Sequence, residues 1–326
     1  MKFLVTGGRG FIGSHFVEEA LRQGHEVIDI DKMTYAASRE LPWDNNPNYT
    51  LEVADISEIT HLPPCDVIVN FAAESHVDNS IENPLEFIKT NVLGTGVMIE
   101  AANQYWLTLE QSKKKNFRFL HVSTDEVYGS LKGGEYFTEE TKYDPSSPYS
   151  ASKAASDHLV RAWNRTYGLP TLVTNCSNNF GPYQHFEKLI PKIIINALQK
   201  KPIPIYGSGK NVRDWLYVED HVEALCHVMD NGKVGETYNI GSDNQKSNID
   251  LTYLICNSLD KKLSPFKFGL ETFSQLITYV NDRPGHDQRY AIDSMKIQNE
   301  LKWQSKYNFE TYIELTIDWY IKNYVK

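Results

Sequence analysis

The sequence predicts an α/β protein: a doubly wound parallel sheet with a smaller α/β domain on its C-terminal side. Three observations predict it. Short apolar, β-branched runs alternate with helical segments from Lys2 to Thr174. The first run leads straight into a glycine-rich turn, Gly7-Gly8-Arg9-Gly10-Phe11-Ile12-Gly13, and then into a helix. After Asn175 the alternation gives way to turn-rich stretches and shorter elements.

Lys2 to Thr6 reads as a buried strand, and Ser14 to Gln23 as a helix with Phe16, Val17, Ala20 and Leu21 on one face. Glu26 to Ile30 is the second strand and ends in Asp31. This is a βαβ unit of Rossmann type, in which glycines let the backbone approach a pyrophosphate at a helix N-terminus. Gly7, Gly10, Phe11, Ile12 and Gly13 are therefore expected against a dinucleotide. The spacing is G-x-x-G-x-x-G, and the glycines alone are a weak signal. The strand before them, the helix after them and the acid at Asp31 carry the reading. A carboxylate there accepts from ribose hydroxyls and repels a 2′-phosphate, which favours NAD over NADP. The plainer alternative for Asp31 is a turn residue.

Tyr49 to Ala54 is the third strand, with Asp55 and Ile56 at its end, where adenine is expected. Asp66 to Asn70 is the fourth, and the small Ala72-Ala73 pair beyond it either admits the cofactor or packs strand on helix. A long helix is expected from Pro84 through Tyr105, then a Lys-rich solvated insert from Trp106 to Asn116. Phe117 to Val122 and Thr171 to Thr174 are the fifth and sixth strands. Leu189 to Leu198 and Glu219 to Met229 read as helices, Pro202 to Tyr206, Arg213 to Val218 and Thr237 to Ile240 as extended. Helices over Asn248 to Leu259, Ser294 to Leu301 and Phe309 to Asn323 close the chain. Residues 1–174 and 213–245 are assigned to the NAD-binding domain, and 175–212 and 246–326 to the second domain.

Composition bounds the function. The 326 residues are 41% hydrophobic and 23% charged, an ordinary globular balance. A formal net charge of -9 argues against nonspecific binding to nucleic acid or anionic membranes. No apolar run is long enough for a signal peptide or a membrane span. Cys65, Cys176, Cys226 and Cys256 form no Cys-x-x-Cys and sit in apolar neighbourhoods, so they read as reduced core residues of a cytoplasmic protein. The ten histidines show no metal-ligand spacing, and no metal is expected.

The chemistry is concentrated between His121 and Lys153. The fifth strand runs into Ser123-Thr124-Asp125-Glu126, and ligands of open α/β sheets bind beyond the carboxyl ends of strands. If Ser147-Pro148 opens a helix, Tyr149 and Lys153 stand one turn apart on one face. A neighbouring ammonium favours phenolate, so the Tyr149 pKa is expected to fall and the phenol to serve as a base. A lone Tyr-x-x-x-Lys is common, and a lone Asp-Glu pair is usually a solvated turn. Their combination behind a nucleotide fingerprint is the sharper signal.

Seven motifs extend this to a family resemblance. They are Thr6-Gly-Gly-Arg-Gly-Phe-Ile-Gly13, Ala72-Ala-Glu-Ser-His-Val-Asp78, Ser123-Thr-Asp-Glu-Val-Tyr-Gly129, Tyr149-Ser-Ala-Ser-Lys153, Asn178-Asn-Phe-Gly-Pro-Tyr183, Arg213-Asp-Trp-Leu-Tyr-Val-Glu-Asp220 and Asp282-Arg-Pro-Gly-His-Asp-Gln-Arg-Tyr290. Across the whole chain they resemble the extended short-chain dehydrogenase/reductases, and within these the nucleotide-sugar 4,6-dehydratases of the dTDP-glucose type. The Asp125-Glu126 pair narrows the resemblance, since related 4-epimerases keep the Tyr and Lys but lack it.

The resemblance implies an internal redox cycle with catalytic NAD. Tyr149 would take the C4 hydroxyl proton of a nucleotide-diphosphate hexose, with Thr124 bonded to that hydroxyl and Lys153 tuning the phenol. Glu126 would remove the C5 proton, and Asp125 would protonate the leaving C6 hydroxyl. The diphosphate would face Asn178, Arg213 and Arg283, with Lys188 and Leu189 near it. Arg283 could instead bridge the domains in an ion pair. Ser75, His76, Pro204, Tyr206, Asn248 and His286 complete the substrate-binding set that the resemblance implies, and it also implies a homodimer through the Tyr149 and Pro84 helices. Asn79 departs toward UDP-sugar dehydratases, and Arg213-Asp-Trp-Leu216 looks like the dTDP-glucose type. Open alternatives are a UDP-N-acetylglucosamine 4,6-dehydratase, with or without C5 epimerisation, and a nucleotide-sugar 4-epimerase.

Overall fold

Side chains that alternate between two apolar layers decide the large sheet. Phe3 and Val5 pack into one buried cluster with Phe16 and Val17, whereas Leu4 packs into another with Ile28, Ile68 and Met98. A strand buried on both faces reads as a continuous apolar run, as parallel strands covered by helices do.

The computed structural model describes residues 1–324. In chain order the strands are β1 (Lys2–Thr6), β2 (Glu26–Asp31), β3 (Tyr49–Val53), β4 (Val67–Asn70), β5 (Arg118–Thr124) and β6 (Thr171–Cys176). Then come β7 (Asn178–Phe180), β8 (Ile203–Tyr206), β9 (Val212–Tyr217), β10 (Thr237–Ile240), β11 (Gln245–Ser247) and β12 (Ile277–Val280). Seven strands form one parallel sheet in the order β10-β6-β5-β4-β1-β2-β3. The order reverses beside β1, between β4 and β2, which is where open sheets of this kind bind ligands.

The second region has its own core, built from Ile190, Ile193 and Ile194 of the Leu189–Leu198 helix, Leu251 and Ile255 of the Asn248–Lys262 helix, and Phe309, Ile313 and Ile317 of the Phe309–Tyr324 helix. Two small sheets, β11-β9-β7 and β12-β8, lie with it. The stretch 213–245 is thus shared. Its Val218–Asn231 helix and β10 serve the large sheet, but β9 pairs with β7 and β11.

Several elements differ from expectation. The first helix begins at Phe11, because the glycine turn itself closes into the helix through Ser14 N–H donating to the Gly10 carbonyl at 2.9 Å. The Pro84 helix is interrupted by a π segment, Ile88–Gly94, before Thr95–Thr108 continues. A Cβ on Gly94 would lie 2.8 Å from the Ile56 side chain, so this segment packs directly on the short turn that follows β3. The Lys-rich insert contains a short exposed helix, Gln111–Asn116.

Candidate active site

The glycine turn lies flush against the loop after β4. Gly7 has φ +74°, and a Cβ there would sit 2.8 Å from the Ala72 backbone. A Cβ on Gly13 would sit 2.2 Å from the Gly7 carbonyl oxygen. A cavity of about 310 Å³ runs along this face, lined by Gly7, Gly10, Phe11, Ile12, Gly13, Asp31, Asp55, Ile56, Ala72 and Ala73. All ten expected cofactor contacts of this half are therefore brought together. Gly13→Ala is expected to cost about 1 to 3 kcal/mol through overpacking and to weaken NADH binding. Thermal melting and fluorescence titration check both effects.

The carboxylates at the strand ends are held in place. Asp31 accepts from the Arg9 amide at 3.0 Å and the Met33 amide at 2.7 Å while lining the cavity, so it orders a turn and faces the ligand side at once. Burial raises the pKa of Asp55, but the Ser57 amide and the Lys32 ammonium outweigh it and hold the group down at about 2. Lys32 is engaged by Asp55 at 2.9 Å and Glu86 at 3.3 Å. Arg9 is engaged by Asp44, Ser38 and Arg39. The cations nearest Asp31 thus have partners of their own.

The half expected to be catalytic is built by one helix start and one strand end. Ser147 caps the Pro148–Tyr167 helix: its Oγ accepts from the Ser150 amide at 3.1 Å, and the Ser147 amide donates to Ser150 Oγ at 3.0 Å. Pro148 supplies the preset first turn. This places Tyr149 and Lys153 on one face, both lining the cavity with Thr124 and Glu126. β5 runs two residues beyond the expected Val122 and ends as Thr124 Oγ1 accepts from the Glu126 amide at 3.3 Å.

Asp125 and Glu126 then part. Glu126 lines the cavity, whereas Asp125 is 1% exposed behind it. Burial, then the Glu126 and Asp214 carboxylates, push the Asp125 pKa well above the usual range. Burial raises Glu126 too, but Arg283, Arg213 and Lys188 pull it back. The pair is therefore split, with Asp125 the better proton holder and Glu126 the better base.

Tyr149 corrects an expectation. Its phenol is pushed well above the ordinary value, chiefly by burial and then by Glu126, Cys176 and Asp125; the Thr124 hydroxyl pulls the other way. The Lys153 ammonium instead donates to the Val122 carbonyl at 2.9 Å.

On the substrate side, Ser75, His76, Asn178 and Lys188 line the same cavity, and Lys188 Nζ donates to the Ser75 carbonyl at 2.6 Å. The rest of the expected set stands outside that lining. Arg213 donates to the Val212 carbonyl at 2.7 Å and the Asp287 carbonyl at 3.0 Å and stacks over Tyr290. Arg283 pairs with Asp78 at 3.3 Å, the domain-bridging alternative, and Tyr206 OH donates to the same Asp78 at 2.8 Å. Pro204 lies in β8, Leu189 packs on the second core, and His286 bonds Asp282 at 2.6 Å. Asn248 opens the Asn248–Lys262 helix of the second core. Buried atoms without a hydrogen-bond partner recur in this set: Asp125 Oδ2, Asn178 Oδ1, Asn248 Oδ1 and Arg283 Nε. Buried polar atoms left unpaired are costly and mark groups with a further role.

The family model for GDP-mannose 4,6-dehydratase matches residues 4–316. The chain is 53% identical to a dTDP-glucose 4,6-dehydratase of Escherichia coli, an alignment covering 99% of this chain and 94% of that one. The chain belongs to the dTDP-glucose 4,6-dehydratase family. It is also 51% identical to the dTDP-glucose 4,6-dehydratase of Neisseria meningitidis, over 99% of this chain and 94% of that one. Among solved structures it is similar to DesIV, the dTDP-glucose 4,6-dehydratase of Streptomyces venezuelae with NAD and TYD bound. There the TM-score is 0.90 and the identity 41%, over 99% of this chain and 98% of that one.

Other residues of the site have no sequence motif to mark them. Thr34, Tyr35, Thr90 and Ser177 line the cavity. Behind Lys153, Asp157 is fully buried; Tyr143 OH donates to it at 2.8 Å and Asn175 Nδ2 at 3.2 Å. Asn175 Nδ2 also donates to the Thr124 carbonyl at 3.1 Å, tying the helix to the end of β5. Asp157 had one legible signal: it stands one turn after Lys153 on the same helix face.

Proposed function

We propose that the protein dehydrates dTDP-glucose to the 4-keto-6-deoxy sugar with catalytic NAD. One observation carries this beyond the family's shared redox chemistry: Glu126 shares the Tyr149–Lys153 cavity, and Asp125 is buried directly beside it. The chain's residues fit NAD. The glycine cradle has no room for a Cβ at Gly7 or Gly13, Asp31 lines the cavity where it would meet the ribose, and the nearby cations are already paired. When bound, NAD supplies a reversible acceptor for the hydrogen removed from C4 and delivered to C6.

Tyr149 takes the C4 hydroxyl proton, with Thr124 bonded to that hydroxyl. Lys153, which holds the end of β5 through the Val122 carbonyl, would also hold the nicotinamide ribose. Once C4 is a ketone, its carbonyl acidifies the C5 proton; Glu126 removes it and returns a proton to C5 when C6 is reduced. Asp125 gives its proton to the departing C6 hydroxyl, which leaves as water. Arg283, Arg213 and Lys188 supply the positive field for the diphosphate. Asn178 and Asn248 offer the amide groups that hold the nucleotide. The domains divide at residues 1–174 with 213–245 and 175–212 with 246–326, apart from β9, which pairs with β7 and β11.

We also propose a cytoplasmic homodimer. The cysteines are free, and among the described residues no helix is long and apolar enough to cross a membrane. Leu85, Ile88 and Leu93 expose apolar surface on the segment that would meet the partner, at 76%, 50% and 55%.

The test is a panel of dTDP-glucose, UDP-glucose, UDP-N-acetylglucosamine and GDP-mannose, with products identified by mass and NMR. dTDP-glucose should lose one water with no net NADH. Stoichiometric NADH accumulation would mean a simple dehydrogenase, and a C4 epimer of unchanged mass would mean an epimerase.

A further inference from the structure

An arginine inside the glycine turn is usually solvated, yet Arg9 is only 2% exposed. Its guanidinium fork is fully committed. Nε donates to the Ser38 carbonyl at 2.8 Å and Nη2 to the Arg39 carbonyl at 2.7 Å. Nη1 forms an ion pair with Asp44, and Nη1 also reaches Tyr49 OH at 3.5 Å. The backbone closes the same seam, since the Ser38 amide donates to the Arg9 carbonyl at 2.8 Å. Asp44 in turn accepts from the Leu41 amide at 2.9 Å, while Leu41 and Trp43 anchor in the core. Between Asp31 and this anchor runs a strap without regular secondary structure, and its Thr34, Tyr35, Ala36 and Ala37 line the cavity beside Asp31, Asp55 and Ile56.

We infer that Arg9 pins the Thr34–Arg39 strap across the adenosine end of the cavity and so sets how long the cofactor stays bound. The inference rests on the NAD reading above. Its chemical reason lies in the internal redox cycle. Between C4 oxidation and C6 reduction the cofactor is reduced, and its loss at that stage strands the keto sugar. An enzyme that regenerates its cofactor at every turnover has no need to release it. The planar fork suits the pin because one side chain bonds two successive carbonyls and a carboxylate together, which a lysine ammonium cannot match in direction. Arg9 touches the strap and not the reacting atoms, so it is a positioning residue.

The experiment loads the protein with NADH, mixes it with a large excess of NAD in a stopped-flow cell and follows the fall in NADH fluorescence. Arg9→Ala should release NADH about tenfold faster or more, since affinity differences of this kind fall mainly on dissociation. Arg9→Lys, which keeps the charge but not the fork, should lie between it and the wild type. Asp44→Asn perturbs the pin from its half-exposed end and should also speed release, which keeps the test intact if Arg9→Ala does not fold. In turnover, both pin variants should come to depend on added NAD, with activity recovering as NAD is raised. Unchanged release in folded Arg9→Lys and Asp44→Asn would overturn the pin, because the strap would then be held by the Ser38–Arg9 backbone bond and the Leu41 and Trp43 anchor without the guanidinium. If the wild type binds no NADH at all, the NAD reading itself fails.

Discussion

Tyr149→Phe is expected to lower C4 oxidation by roughly 10²- to 10⁴-fold, the worth of general base catalysis, while folding and NAD binding survive. The ring stays packed in its buried site against Phe87, and only the phenolic oxygen is lost. Single-turnover absorbance of NADH on mixing with dTDP-glucose measures the step directly. The pH dependence adds a second readout. Burial and the Glu126 carboxylate raise the phenol's pKa, so its base form is scarce at neutral pH and grows as pH rises. C4 oxidation in the wild type should therefore climb with pH above neutrality, and the climb should be absent in the Phe variant. Activity close to wild type, with the climb retained, would show that Tyr149 is not the base.

Glu126→Gln should stop the reaction after its first half. The amide has nearly the same shape but cannot take the C5 proton, while Tyr149, Thr124 and Lys153 remain in the cavity. NADH absorbance should rise on adding substrate and persist, with water loss reduced by about 10²-fold or more. In the wild type, turnover in D₂O should place deuterium at C5, because a carboxylate exchanges its proton with solvent, while the hydrogen moved from C4 to C6 stays unexchanged. Removing the Glu126 charge also removes one of the influences that raise the Asp125 pKa. Asp125→Asn is therefore needed beside it: it should oxidise C4 and exchange C5 but fail to expel water. Undiminished dehydration in Glu126→Gln, or no deuterium at C5, would reject the role given to Glu126.

The sequence made the cofactor half of the site almost wholly legible. Its contacts come from consecutive residues at the ends of successive strands, so a linear motif and its spacing place them. Gly7, Gly10, Phe11, Ile12, Gly13, Asp31, Asp55, Ile56, Ala72 and Ala73 all line one cavity as read. The Tyr149–Lys153 pair was equally local, since helix periodicity and the Ser147-Pro148 start are properties of a short segment.

The rest depended on distance in the chain. Arg283 and Tyr206 were read as substrate contacts, but both also meet Asp78 from far along the sequence, and no spacing rule reports that. The strap held by Arg9 was silent because its partners are backbone carbonyls and a distant Asp44, which leave no pattern in side-chain type. The Thr124–Glu126 stretch shows the division most plainly. By itself the sequence determined that two carboxyl groups stand at a strand end beside a Tyr and a Lys. Only the tertiary structure decided that one is buried at the strand end next to the Asp214 carboxylate and the other faces the cavity among Arg213, Arg283 and Lys188. The physical reason is that residue identity fixes which proton a group can carry, whereas its pKa follows from desolvation and neighbouring charge, and both are set by segments the chain brings together only on folding.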